Sequence, residues 1–285
     1  MKNYPWTWIL VAWLGGLATL HCGPHAGART TTSPGETPAD SHLVLVDSGG
    51  SQTDRQALAI AMELIERQRY EEAMKDYLDP LILAFEQQYS APALSVVCSR
   101  DQGMGMIQGL LAAAETQRDS VVLGPDWPDA LYLKSVCLLE LGNVSGSEAQ
   151  LRRALDLMPG DIMYLCELGH VRQLQQDWTE SLDLFQQALE EAELLVSMEE
   201  RAIESGSTPP AGPPLMTPTQ WASRALRGIG MSQIERGMLD EAEQAFRRVL
   251  ELEPGHPTAL NELGYIEHLR SGGSEVPIEG GGVIR

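Results

Sequence analysis

Ser223-Arg224-Ala225-Leu226-Arg227-Gly228-Ile229-Gly230-Met231 and, after a turn, Leu239-Asp240-Glu241-Ala242-Glu243-Gln244-Ala245-Phe246-Arg247-Arg248-Val249 read as a pair of helices. Leu226, Ile229 and Gly230 on the first, and Ala242, Ala245, Phe246 and Val249 on the second, recur at three- and four-residue steps. That spacing puts them on one face of each helix. Gly230 and Ala242 are small enough to let two backbones approach, and Phe246 fills the space beside them. Pro254 ends the second helix, because its ring removes a donor and blocks the next turn. One such pair cannot bury both of its faces, so it calls for neighbours.

The neighbours are present at a fixed period. Pro125 and Pro159, Ala154 and Ala188, and Gly230 and Gly264 each lie 34 residues apart. Phe185 and Phe246 lie 61 apart, one period plus an insertion of 27. With unit starts at 54, 94, 128, 162, 223 and 257, the pattern resembles the tetratricopeptide repeat family. The unit from 162 shows it in Leu165, Leu168-Gly169, Ser181, Phe185 and Ala188; the unit from 128 in Leu131, Leu151, Ala154 and Pro159; the unit from 54 in Tyr70 to Ala73 and Tyr77. The resemblance implies an all-α fold: a right-handed α-solenoid of about five helical hairpins over 54–270, with the unit from 257 as a C-terminal capping helix. Glu262, Glu267 and Arg270 are expected on the outer side of that cap.

Several positions depart from the pattern. Asp101 and Gln117 replace a small and an aromatic residue in the unit from 94, Pro80 interrupts the second helix of the first unit, and Lys134 stands at an apolar site. Arg172, Gln233 and Glu267 occupy a site usually filled by Tyr. The insertion, about 196–222, extends a long helix over Leu184 to Glu204 and then runs through Thr208-Pro209-Pro210-Ala211-Gly212-Pro213-Pro214, a solvated linker or a polyproline-like arm.

Composition narrows the function. The 285 residues carry 40 Asp and Glu against 20 Lys and Arg, a formal net charge of −20. Such a chain lacks the clustered cations that bind nucleic acid or anionic lipid. Lys2 followed by the apolar run Trp6–Leu20, too short and too broken by Gly15-Gly16 for a spanning helix, reads as an export signal ending at Ala26-Gly27-Ala28. Cys22 offers the other reading, a lipidated cysteine, with His21 a departure from the lipobox. Residues 29–53 follow as a flexible Ser/Thr/Pro/Gly linker, in which Leu43–Val46 forms an adhesive loop or a short strand, and 271–285 as a flexible tail. The expected location is the periplasm or the outer membrane. Cys98, Cys137 and Cys166 show no paired spacing and are expected as buried thiols, with one bridge plus a free thiol the other arrangement.

No catalytic constellation emerges. His170, His256 and His268 lack the helical spacing of a zinc site, and no Cys-x-x-Cys occurs. Gly103-Met104-Gly105-Met106-Ile107-Gln108-Gly109 reads as a flexible helix start with no strand before it, not as a phosphate loop. No enzyme activity, cofactor or metal is expected. What the family resemblance implies instead is a concave groove lined by first helices. On this chain its positions fall on Tyr132, Val136 and Leu139; Met163, Cys166 and His170; Arg227, Met231 and Ile234; and Asn261, Tyr265 and His268. The groove set is Tyr132, Val136, Cys166, His170, Arg227, Met231, Asn261 and Tyr265. Such a surface suits a partner's peptide or helix, which makes the chain a protein-protein interaction scaffold of the bacterial cell envelope. The alternative is an accessory subunit or a small-ligand or glycan-binding solenoid, with Cys166 and His170 near its site.

Overall fold

A computed structural model describes residues 44–47, 51–208 and 216–272. Its elements follow the chain as β1 (Val44–Asp47), α1 (Gln52–Glu66), α2 (Tyr70–Glu72), a π-helical turn (Ala73–Leu78), α3 (Asp79–Gln88), β2 (Leu94–Cys98), α4 (Gln102–Thr116) and β3 (Asp119–Leu123). There follow α5 (Asp126–Glu140), α6 (Val144–Leu157), α7 (Ile162–Leu174), α8 (Trp178–Ser205), α9 (Pro218–Glu235), α10 (Leu239–Leu252) and α11 (Pro257–Arg270). The helices stack as an α-solenoid: α1 with the segment 70–88, α5 with α6, α7 with α8, α9 with α10, and α11 alone at the end.

Local chemistry sets the helix boundaries. Asn143, Asp161 and Asp177 each accept a backbone N–H three residues on, at 2.9, 3.2 and 3.1 Å, which satisfies a donor that the first turn leaves unpaired. Ser51 with Asp54, and Thr217 with Gln220, close reciprocal capping boxes. Within the hairpins the chain reverses through a left-handed residue at Gln68, Gly142, Gln176 and Gly237, with φ of 58°, 79°, 60° and 73°. The last three repeat at 34 and 61 residues, so the sequence period is visible in the backbone.

Packing between hairpins runs through rings laid on glycines. A Cβ built on Gly169 would stand 2.9 Å from the Phe185 ring, and one on Gly228 would stand 2.5 Å from the same ring. Phe185 is therefore held between its own hairpin and the next. Gly230 and Phe246 repeat the contact at 2.6 Å. On α11 no described residue covers the row. Among the described residues nothing lies within 4 Å of a Cβ on Gly264, and Leu260 is 52% exposed where Leu226, one period earlier, is 2% exposed.

The unit from 94 is not a helical hairpin. It is β2–α4–β3, and β3 lies between β1 and β2 in a three-stranded parallel sheet. Among the described residues the solenoid thus consists of four helical hairpins, this strand–helix–strand unit after the first of them, and the capping helix. The β-branched pairs Val96-Val97 and Val121-Val122 suit a pleated surface, and α4 comes close to it through Gly105, Gly109 and Ala113, all buried. A Cβ on Gly105 would stand 2.7 Å from Val122 Cγ1. The two departures noted in this unit have local jobs: Asp101 caps α4 by accepting from Met104 N at 2.9 Å, and Gln117 ends it in the left-handed region at φ 55°. A strand does precede the Gly103–Gly109 segment, and residues 44–47 of the expected linker form β1, paired from Val44↔Ser120 to Asp47↔Leu123.

Other departures are accommodated rather than disruptive. Pro80 does not break the first unit's second helix; it sits in the first turn of α3, directly after the π-helical turn that absorbs the register change. Lys134 Nζ lies 2.7 Å from Asp79 Oδ1, tying α5 to that helix, and Arg172 pairs with Glu148, Asp177 and Glu180. The expected long helix is α8, running to Ser205. Cys98, Cys137 and Cys166 are buried free thiols. The Pro-rich stretch 209–215, the signal region with Cys22, and the tail from 273 lie outside the described residues.

Candidate functional site

The first helices α5, α7, α9 and α11 carry the expected groove residues, and the structure sorts them by depth. Tyr132 and Cys166 are corrections: they are 8% and 0% exposed and belong to the packed seam between hairpins. Tyr132 leans on Tyr164 with ring centroids 5.8 Å apart. Burial raises its phenol pKa and pushes the Cys166 thiol up to about 12. A thiol so far above neutrality is a poor metal ligand and nucleophile. Met163, at 2% exposure, is likewise core.

The remaining members reach the surface. Val136 and Leu139 are half-buried and share a narrow crevice with Glu167 and Val171. His170 is half-buried too; burial, reinforced by Arg224, lowers its pKa to about 4, so its imidazole is neutral at physiological pH. Arg227 donates to Ser223 Oγ at 3.0 Å and stands 3.9 Å from the Glu253 carboxylate. Met231 and Tyr265 are half-buried, and Asn261 is exposed. His170, Arg227, Met231, Asn261 and Tyr265 thus keep some exposed surface in a row of repeat positions on α7, α9 and α11. At the end of that row, Glu253 accepts from Ser223 Oγ at 3.0 Å and faces His256 Nε2 at 3.5 Å.

Two buried ionic groups escaped the sequence reading. Arg224 donates to Glu167 Oε1 at 2.5 Å and lies 5.6 Å from the Trp221 ring centroid, which cross-links α7 and α9. Arg100, from the turn after β2, donates through Nε to Asp161 Oδ2 at 2.8 Å and through Nη2 to Asp129 Oδ1 at 2.9 Å. The Tyr164 hydroxyl in turn donates to Asp129 Oδ1 at 2.5 Å. The charges are 3–11% exposed, so each partner offsets the desolvation of the other. Their sequence signal is positional: Arg224 and Asp129 both fall at the second position of their units, about one helical turn before Arg227 and Tyr132.

A further correction concerns the cap. Glu262 is not on the outer side; it is 2% exposed, and its Oε1 has no hydrogen-bond partner among the described residues. Burial, with Glu235 nearby, pushes its carboxyl up to about 7. Among the described residues, no group of three or more His, Cys, Asp or Glu side chains could hold a metal, and no helix is long and apolar enough to cross a membrane.

Residues 227–272 match the family profile described as tetratricopeptide repeat, covering the second half of α9, all of α10 and the cap. No curated protein matches the chain. Among solved structures, MamA 41-end from Desulfovibrio magneticus RS-1 is 14% identical over 78% of this chain and 87% of that one, with a TM-score of 0.45. The second TPR domain of human RPAP3, solved in complex with the HSP70 peptide SGPTIEEVD, is 19% identical over 49% of this chain and 98% of that one, TM-score 0.36. The N-terminal domain of stress-induced protein-1 from C. elegans is 15% identical over 50% and 96%, TM-score 0.38.

Proposed function

We propose that the chain is a non-enzymatic scaffold of the bacterial cell envelope that holds a peptide or helix of a partner protein along the concave side of its stack. The observation that carries this reading is the open row His170, Arg227, Met231, Asn261 and Tyr265, which crosses three successive first helices and mixes apolar surface with hydrogen-bonding ends. Tyr265 supplies a rigid amphipathic contact, and Arg227, whose ion pair with Glu253 is stretched to 3.9 Å, has donors to offer an acidic group. Tyr132 and Cys166 shape this surface from beneath and do not touch the partner.

Cross-linked pull-downs from envelope extracts test the reading. A partner should be recovered with the wild-type chain and lost with Arg227→Glu plus Tyr265→Ala, both at positions open enough to keep the fold. Recovery of the same proteins by both chains sinks the groove. Export is tested separately, by the mass of the mature N-terminus. A start near Arg29 marks release, an acylated Cys22 marks anchoring, and an unprocessed Met1 in envelope-fractionated cells refutes both.

A further inference from the structure

The sheet-containing unit builds a second surface, away from the concave row. Between α4 and α8 lies a cleft of about 120 Å³, walled by Met104 and Gln108 on one side and Leu194, Leu195 and Met198 on the other, with the turn Met158–Gly160 below. This is smaller than the ~300–1,000 Å³ of a small-molecule pocket, and it suits one long side chain. Its rim is apolar. Met104, Gln108 and Leu111 follow at four- and three-residue steps along one side of α4; Leu111 and Ile107 are 64% and 54% exposed, and Leu194 opposite is 44% exposed. Residues 102–114 contain no ionisable side chain, in a chain with a net charge of −20.

The polar groups in this cleft specify the ligand's sign. Arg100 cannot receive an anion, because its Nε and both terminal nitrogens are already committed to Asp161, Asp129 and Tyr164. Two side chains of the cleft, Gln108 and Glu191, are left without a partner among the described residues, and the ionisable one is an acid. Gln108 Oε1 is buried and receives no hydrogen bond, and Glu191, half-buried over Gly160, forms no hydrogen bond or ion pair among the described residues. Burial and the adjacent Glu190 raise the Glu191 pKa, a cost that a nearby cation would relieve. A lysine or arginine meets all of these conditions: a donor head for Gln108 and Glu191, and an apolar stem for the three methionines, whose flexible thioethers adapt to it.

We infer that the α4–α8 cleft is a docking site for a cationic amphipathic segment of a partner protein, which inserts one lysine or arginine beside Glu191 and covers Ile107, Leu111 and Leu194 with its apolar face. The site is independent of the concave row and does not rest on the function proposed for it.

The test is fluorescence anisotropy on the full chain with a labelled leucine-lysine amphipathic peptide of about four helical turns, and with its leucine-glutamate counterpart. The lysine peptide binds, the glutamate peptide does not, and Glu191→Lys weakens binding at least about tenfold, ~1.4 kcal/mol. Glu191→Gln, conservative in shape, weakens it less, and Arg227→Glu leaves it unchanged. Equal binding of both peptides, absence of binding, or loss on Arg227→Glu as large as on Glu191→Lys overturns the inference. Co-sedimentation with phosphatidylcholine vesicles that is abolished by Leu111→Glu, with peptide binding indifferent to Glu191, overturns it in favour of a lipid surface.

Discussion

Residues 94–123 and 223–252 are equal in length, and each brings small residues on one helix against a neighbour, yet the first folds as strand–helix–strand and the second as a helical hairpin. In both, glycine allows close approach. What approaches differs: Val122 of a central strand over Gly105, and aromatic rings over Gly228 and Gly230. A stretch of repeat length is therefore no guarantee of a repeat. The filler of the gap decides, and a β-branched residue recruits a sheet where a phenyl ring recruits a second helix.

The largest expected effect tests the ring. Phe185→Ala should destabilise the chain by about 3–5 kcal/mol in urea unfolding, because one cavity opens against both Gly169 and Gly228; a loss below about 1 kcal/mol would mean the hairpins do not share that ring. Next is the joint between the two regions. Arg100→Met leaves Asp129 and Asp161 buried without their cation and should also cost about 3 kcal/mol or more. Unfolding at low pH should narrow the difference, since burial raises the Asp161 pKa and that carboxyl can then be neutral.

Gly105→Val probes the sheet alone. Overpacking against Val122 should cost about 1–3 kcal/mol. Amide exchange should quicken in 94–123 while α9 and α10 stay protected; uniform quickening would make the two regions one cooperative unit. The smallest effect lies at the cap. The Glu262 carboxyl is raised from an ordinary 4.5 to about 7, so its contribution is fully present below pH 4.5 and is lost as pH rises through 7. Glu262→Gln should therefore raise Tm at pH 8 by about 2–4 °C, the effect of ~1 kcal/mol, and change it little at pH 4.

The regular half was legible because its signals are local and repeated: Leu226, Gly230, Ala242 and Phe246 state one face each, and Pro159 and Pro254 state the ends. The sheet was not. Val96-Val97 and Val121-Val122 are short apolar runs that periodicity cannot assign, and their partner β1 lies more than 40 residues earlier, beyond any local pattern. In the groove, repeat position carries no information on depth. Tyr132 is covered by Tyr164 of the next hairpin, and Cys166 is buried on a helix that packs against α9, so their depth is a property of the neighbouring hairpin and not of their own. Arg100 and Arg224 went unnoticed for the same reason: their carboxylates lie 29 to 61 residues away.

The bare row on α11 says where the stack could grow. One period beyond Phe246, the position that would bring a ring over Gly264 is Gly280, a residue with no side chain to offer and a weak helix former. The template for another storey is thus present on the last helix, while Gly280 offers it no wedge. Grafting an alanine and a phenylalanine at the Ala242 and Phe246 spacing onto a helical extension would lengthen this protein by addition, with no rebuilding of what precedes it.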